Sequence, residues 1–199
     1  MRRIVGLMLI ALTLLAPGAG SARGAAAPAL PFDTTLAGLA IFPETGHSLR
    51  GGLAAFWRGS GGLPVFGLPI GAEQARGRDR SQLFERSRIE LHPANPAPFD
   101  VQLGLLGAES LRRQGRDWRA ESRGEQPAGP CAAFETGREV CGPFLDYWES
   151  HGLDFGQPGV SFAEALALFG LPLTAPRLET NRSGDRVLTQ WFERARFEL

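Results

Sequence analysis

Two stretches of the chain alternate with a period of two. Between Gln82 and Leu91, Leu83, Glu85, Ser87, Ile89 and Leu91 fall on one side, with Gln82, Phe84, Arg86, Arg88 and Glu90 on the other. Between Gln190 and Leu199, Trp191, Glu193, Ala195, Phe197 and Leu199 take the first side, with Gln190, Phe192, Arg194, Arg196 and Glu198 opposite. Successive strand residues leave opposite faces, so each stretch predicts a half-buried strand. Turn-like Arg78-Asp79 and Ser183-Gly184-Asp185 precede them, so each is expected to pair with an earlier strand as a hairpin. Glu85 and Glu193 each interrupt a mostly apolar row, and burial of an unpaired carboxylate is costly. They are expected to hold an Arg or backbone N–H groups. Helical spacing occurs at Leu53, Phe56 and Trp57, and again at Phe144, Tyr147 and Trp148, where Pro143 suits a first helical position. These aromatics are expected mostly in a core. Ser161 and Glu164 form a capping-box pattern ahead of Ala165–Phe169 and Gly170, predicting a further helix of about two turns. Phe99–Arg113 predicts one more helix, and polar Gln114–Pro130 a linker. The fold class expected is α+β.

The same phrases occur twice, in the same order. Glu44-Thr45-Gly46 returns as Glu135-Thr136-Gly137, Phe56-Trp57 as Tyr147-Trp148, and Phe66-Gly67-Leu68-Pro69 as Phe169-Gly170-Leu171-Pro172. Gln82–Leu91 returns as Gln190–Leu199. The offset grows from 91 to 103 to 108 residues, as it does when insertions fall in loops between conserved blocks of one unit. Two related modules are expected, at 38–113 and 131–199, joined by the linker 114–130. The segment His92–Leu106 has no counterpart after Leu199, so the second module is expected to be truncated or closed by something else.

Arg2 and Arg3, the thirteen-residue apolar run Ile4–Ala16, Pro17-Gly18 and small residues to Ala22 read as a secretory signal, residues 1–22. The run is shorter than the roughly 20 residues a spanning helix needs. Residues 23–37 read as a flexible leader. The remaining chain is expected outside the cytoplasm, in secreted form or associated with the cell envelope, with no transmembrane segment after cleavage. There, Cys131 and Cys141, the only cysteines, are expected to pair as a structural disulfide. With 21 acidic and 21 basic residues the chain has no net charge, which removes the basic surface that nucleic-acid binding needs.

Candidate chemistry is sparse. Glu44 and His47 suggest acid–base work, but His47 becomes Arg138 in the second copy, which suits a structural turn better than an active site. Glu44, Glu85, Glu135 and Glu193 are therefore read as structural. No cofactor or metal is implied, and no catalytic residue is assigned. The arginines Arg86, Arg88, Arg194 and Arg196, interleaved with Phe84 and Phe192, form the best binding candidate, because guanidinium forks suit carboxylates or phosphates on polymers. Cross-strand pairing with Glu90 and Glu198 is the competing reading. Trp57 and Trp148 are the candidate sugar-stacking platforms.

Glu44–His47, Leu53–Trp57, Gly61–Ile70 and Gln190–Glu198 resemble phrases of secreted, uncharacterised bacterial proteins built from Trp/Gly-rich repeats. Phe66–Pro69 and Phe169–Pro172 are more loosely similar to LGFP repeats of bacterial cell-wall proteins, with Phe in place of the first Leu. These resemblances imply a noncatalytic repeat module that binds a cell-wall or other envelope polymer. A secreted hydrolase acting on cell-wall polysaccharide or peptide is one alternative; a structural spacer or accessory fragment of a larger protein is another.

Overall fold

In each half a Glu-Thr-Gly phrase closes a tight hairpin. The computed structural model describes residues 38–122, 124 and 126–199; the expected signal 1–22 and leader 23–37 lie outside them. Strands β1 (Leu39–Phe42) and β2 (His47–Arg50) pair antiparallel, with Gly46 N donating to Phe42 O at 2.8 Å. In the second half β7 (Cys131–Ala133) pairs with β8 (Glu139–Cys141), and Gly137 N donates to Phe134 O at 2.9 Å. Gly46 and Gly137 have φ of 70° and 73°, the left-handed region that explains the Gly in both copies. Cys131 and Cys141 face each other in the β7–β8 register and form a disulfide. Such bridges persist in oxidising compartments, which favours an extracytoplasmic setting.

A short helix follows each hairpin: α1 (Gly51–Gly59) in the first half, α4 (Pro143–Ser150) in the second. Each turns a Trp onto the hairpin's last aromatic. Trp57 meets Phe42 edge-on at 5.4 Å and 79°, and Trp148 meets Phe134 at 5.1 Å and 76°. The next helices differ. In the first half, α2 (Gly62–Phe66) is only five residues, and the sequence pattern did not predict it. In the second half, α5 (Phe162–Phe169) carries the expected capping box, with Ser161 and Glu164 bonding each other's backbone N–H. Both helices end at a glycine, Gly67 and Gly170, with φ of 77° and 75°.

The period-two blocks are not single strands. In the first half β3 (Gln74–Arg76), β4 (Asp79–Leu83), β5 (Arg88–Leu91) and β6 (Val101–Leu103) make one antiparallel sheet in that order. Leu83 pairs with Arg88, and Phe84 N donates to Ser87 O at 2.7 Å, so residues 84–87 turn the chain back on itself. The second half repeats this with β9 (Arg177–Thr180), β10 (Arg186–Trp191) and β11 (Arg196–Glu198), Phe192 N donating to Ala195 O at 2.8 Å. The turn wins over continued extension because its backbone has a second partner. Glu85 N and Arg86 N donate to Leu68 O and Phe66 O, while Glu193 N and Arg194 N donate to Leu171 O and Phe169 O. Phe84 and Phe192, 1% and 0% exposed, fill the core from inside the turn.

Phe99–Arg113 is likewise not one helix. Val101–Leu103 extends the sheet as β6, and α3 (Leu106–Arg113) begins only after Gly104, whose N–H continues the ladder to Arg88 O at 2.8 Å. The class is thus α+β: five short helices and several antiparallel sheets among the described residues. Each half has a core of its own, one around Phe42, Trp57, Phe66 and Phe84, the other around Phe144, Trp148, Phe169 and Phe192. They are not insulated. Leu153 of the second half belongs to the first core, and Leu168 packs against both. A third cluster joins Leu111 of α3 to Leu173 and Trp191.

Candidate functional site

The recurring polar side chains have the same tasks in both halves. Gln82 Nε2 donates to Ser48 O and Gly71 O at 3.0 and 2.9 Å; Gln190 Nε2 donates to Glu139 O and Thr174 O at 2.8 and 3.0 Å. Each amide thus ties a hairpin to the chain that follows the Gly-Leu-Pro phrase. Glu85 Oε2 accepts from Leu68 N at 3.0 Å, and Glu193 Oε2 from Leu171 N at 3.1 Å. The Gly before each Leu leaves room for that carboxylate: a Cβ on Gly67 would lie 2.7 Å from Glu85 Cβ, and one on Gly170 would lie 2.6 Å from Glu193 Cβ. Glu44 and Glu135 differ from these. Their side chains are exposed in the hairpin turns, where the left-handed glycine carries the geometry.

The expected row of arginines alternating with Phe84 and Phe192 does not form, because the turn at 84–87 and 192–195 sends neighbouring side chains to different places. Arg86 donates to Leu63 O at 3.1 Å, in the first turn of the short helix α2 of its own half. Arg88 is gripped between Glu90 and a bidentate Glu109 of α3, at 3.0 and 2.6 Å. The hydrogen bonds to Arg88 hold the Glu109 carboxyl below its ordinary range, and raise Arg88 in turn. Arg194 reaches across the molecule to Leu103 O at 3.1 Å, and its burial lowers its pKa. Arg196 meets Glu198 at 3.1 Å and lies 5.2 Å over the Trp191 ring. The two Trp platforms are core residues as well: Trp57 is 4% exposed and Trp148 2%, so neither face is open for stacking.

Beyond Gln114 the polar connecting segment is held down. Arg116 binds Glu121 and Glu179, each at 2.7 Å, and Arg177 adds a second cation to Glu121 at 3.0 Å. Trp191 Nε1 donates to Glu179 at 2.9 Å, closing the network onto the third core cluster. The Arg116 hydrogen bond depresses the Glu121 carboxyl. Nothing in the hydrophobic pattern marks this anchor, because its partners lie far apart in the chain.

Among the described residues, a cleft of about 1170 Å³ between the halves has room for a ligand, and a smaller cavity of about 520 Å³ lies beside Trp118 and Arg138. The first wall of the cleft carries Ser87, Leu103 and Gly107; its second carries Phe144, Tyr147, His151 and the run Arg194–Leu199. Tyr147 is the aromatic that sequence reasoning misplaced. It shares the helical stripe with buried Phe144 and Trp148, yet it is 47% exposed. It stacks on His151 at 4.0 Å and 21° and meets Phe197 edge-on at 5.1 Å. The replacement of Phe56 by Tyr147 between the copies is the signal that was there to be read. The Ser150 hydroxyl beside His151 donates to Asp146 O at 2.6 Å, the helix-internal bond of a last-turn serine. No group of His, Cys, Asp and Glu among the described residues is arranged to hold a metal ion, and no described helix is long and apolar enough to cross a membrane. No protein-family model, curated protein or solved structure matches this chain.

Proposed function

We propose that the protein is a secreted, noncatalytic repeat protein whose interhalf cleft binds an extended polymer of the cell envelope or extracellular space. One observation carries this reading. The polar side chains that recur between the halves, Gln82 with Gln190 and Glu85 with Glu193, are occupied by backbone groups of their own half, whereas the cleft presents Tyr147, His151 and Arg196 to solvent space. Repetition therefore maintains a scaffold, and Tyr147, which replaces the Phe56 of the first half, serves a ligand. A half-exposed aromatic in a cleft that guanidinium side chains also line is suited to a chain with apolar faces and anionic substituents. The disulfide of the second hairpin agrees with an oxidising destination.

The test is retention of the mature protein on a panel of purified envelope polymers, with Tyr147→Ala as the cleft variant. Retention reduced roughly tenfold or more by Tyr147→Ala, with unchanged thermal unfolding, is expected. Failure on every polymer, or retention indifferent to Tyr147, overturns the cleft assignment. Hydrolysis of any polymer that disappears with Glu44→Gln or His47→Ala would overturn the noncatalytic part.

A further inference from the structure

The second hairpin differs from the first in what rests on its turn. Arg138 stands where the first hairpin has His47, and its Nη2 donates to Trp118 O and Glu121 O of the connecting segment. Between that segment and the turn lies the cavity of about 520 Å³, lined by Trp118, Arg119, Glu121, Thr136, Gly137 and Arg138. Its parts occur once in the chain: the sequence ahead of the first hairpin has no Trp-Arg pair, and the first turn has no arginine. The cavity therefore belongs to the residues in which the two copies depart from each other.

The polar groups around it divide into those already engaged and those left over. Thr136 Oγ1 donates to Pro172 O at 2.7 Å. Glu121 is a lining residue, yet both of its carboxylate oxygens are taken. Arg116 holds them at 2.7 and 3.1 Å, and Arg177 adds a second cation at 3.0 Å. The adjacent Asp117 carboxylate accepts from the Arg119 backbone N–H at 3.1 Å. The two guanidinium groups are what remains. Arg138 commits Nη2 to the two carbonyls, while its Nε and Nη1 have no hydrogen-bond partner among the described residues. Arg119 lies 4.2 Å over the Trp118 ring, and its side chain makes no hydrogen bond or ion pair among the described residues. Stacking orients a guanidinium and leaves its N–H edges free. Trp118 packs in turn against the Leu111, Leu173 and Trp191 cluster, so the platform beneath Arg119 is anchored.

We infer that this cavity is an oxyanion site, which takes a carboxylate, sulfate or phosphate group with Arg119 and Arg138 as its donors. Hydrogen bonds between a guanidinium and an oxyanion are charge-assisted and belong to the strong class. Here neither arginine gives up a protein partner to make them, and the one carboxylate lining the cavity is already neutralised by Arg116 and Arg177. The volume leaves room for the larger molecule that carries the group. The site is separate from the cleft, since the two share no lining residue, and it stands whether or not the cleft binds a polymer.

The experiment titrates the full chain with inorganic sulfate, inorganic phosphate and glucuronate, each against chloride at matched ionic strength. The readout is the NMR shift of the Trp118 indole N–H, assigned by its loss in Trp118→Phe. A saturable shift with at least one oxyanion, absent with chloride, is expected, and the tightest of the three identifies the group as sulfate, phosphate or carboxylate. Arg119→Gln is the decisive variant, because that side chain holds no protein group by hydrogen bond or ion pair; it should weaken binding roughly fivefold. Arg138→His, which restores the residue of the first half, should weaken it to a similar degree. Tyr147→Ala should leave it unchanged. No saturable shift with any of the three anions overturns the inference, and so does an affinity that survives Arg119→Gln. If Arg138→His loosens the connecting segment, Arg119→Gln still decides. Polymer retention through Tyr147 with no oxyanion titration leaves the cleft assignment standing and removes this one; the reverse result removes the cleft and keeps the oxyanion site.

Discussion

The first hairpin turn of the FERxR block and the second are built alike and connected differently. Phe84–Ser87 and Phe192–Ala195 share their internal bond, their pairing with the Phe-Gly-Leu-Pro phrase and the carboxylate on the following Leu N–H. Outside those bonds they part. Arg86 stays home on Leu63 O, while Arg194 crosses to Leu103 O, and Glu193 O accepts from Ala108 N at the start of α3. Gly107 sits so close to the second turn that a Cβ there would collide with the carbonyl of Phe192. The recurring residues therefore define one half, and the departures from recurrence join two halves into a unit. A duplicated fold needs both: repetition supplies stability to each copy, and divergence supplies the interface.

The sharpest way to break the comparison is at that interface. Gly107→Ala should raise helix propensity by about 1 kcal/mol, yet the new methyl meets a backbone carbonyl that cannot rotate away. We expect a net loss of about 3 kcal/mol or more in urea unfolding, since overpacking against backbone has no cheap relaxation. A neutral or stabilising result would show that the turn and α3 separate freely. Next is the disulfide, which the first hairpin lacks. Cys131→Ala with Cys141→Ala removes a short loop closure and should cost about 2–3 kcal/mol. Hydrogen exchange should rise at Cys131–Cys141 and stay level at Leu39–Arg50; equal loss in both hairpins would mean that the bridge stabilises the molecule as a whole.

Gln82→Leu and Gln190→Leu sharpen the likeness. Each change strands two carbonyl groups that its amide had satisfied, at a cost of about 2 kcal/mol. In both halves the Oε1 is already buried without a partner, so the loss comes from the donor side alone. Equal destabilisation within about 0.5 kcal/mol is expected. A large inequality would mean that one amide is dispensable and the shared geometry is residual.

How far these features were legible depends on their range along the chain. The capping box at Ser161–Glu164, the left-handed turns at Gly46 and Gly137 and the start of α4 at Pro143 are local, and each was readable from a few adjacent residues. The turns at 84–87 and 192–195 were not. Their residues alternate as a strand would, and the chain reverses only because Phe66–Leu68 and Phe169–Leu171, many residues away, accept their N–H groups. The same holds for β6, whose Val-Gln-Leu run sits beside a helical pattern and becomes a strand through pairing with β5. Reading the arginines as one face followed from that missed reversal. Duplication helped where the copies agree, as with Glu85 and Glu193, and misled where a Phe had become Tyr147, because similarity was taken to mean a shared core role.

The smallest expected effect isolates one hydrogen bond. Trp57 Nε1 donates to Gly67 O at 3.3 Å, whereas Trp148 Nε1 is buried without a partner. Trp→Phe at either position removes similar ring area from similar edge-on contacts, so the cavity cost should largely cancel in the comparison. What remains is the donor. At Trp57 its loss leaves a carbonyl unmet, and at Trp148 its loss relieves an unmet N–H, so Trp57→Phe should be the costlier by about 1 kcal/mol. Trp148 also touches Phe162 at 5.1 Å, a contact that could mask the difference. Repeating the Trp148→Phe measurement in a Phe162→Ala background subtracts it, because Phe162 is 60% exposed and its removal leaves little strain. If the corrected costs are equal, the Trp57 bond contributes nothing net, and the two tryptophans stabilise their halves through ring packing alone.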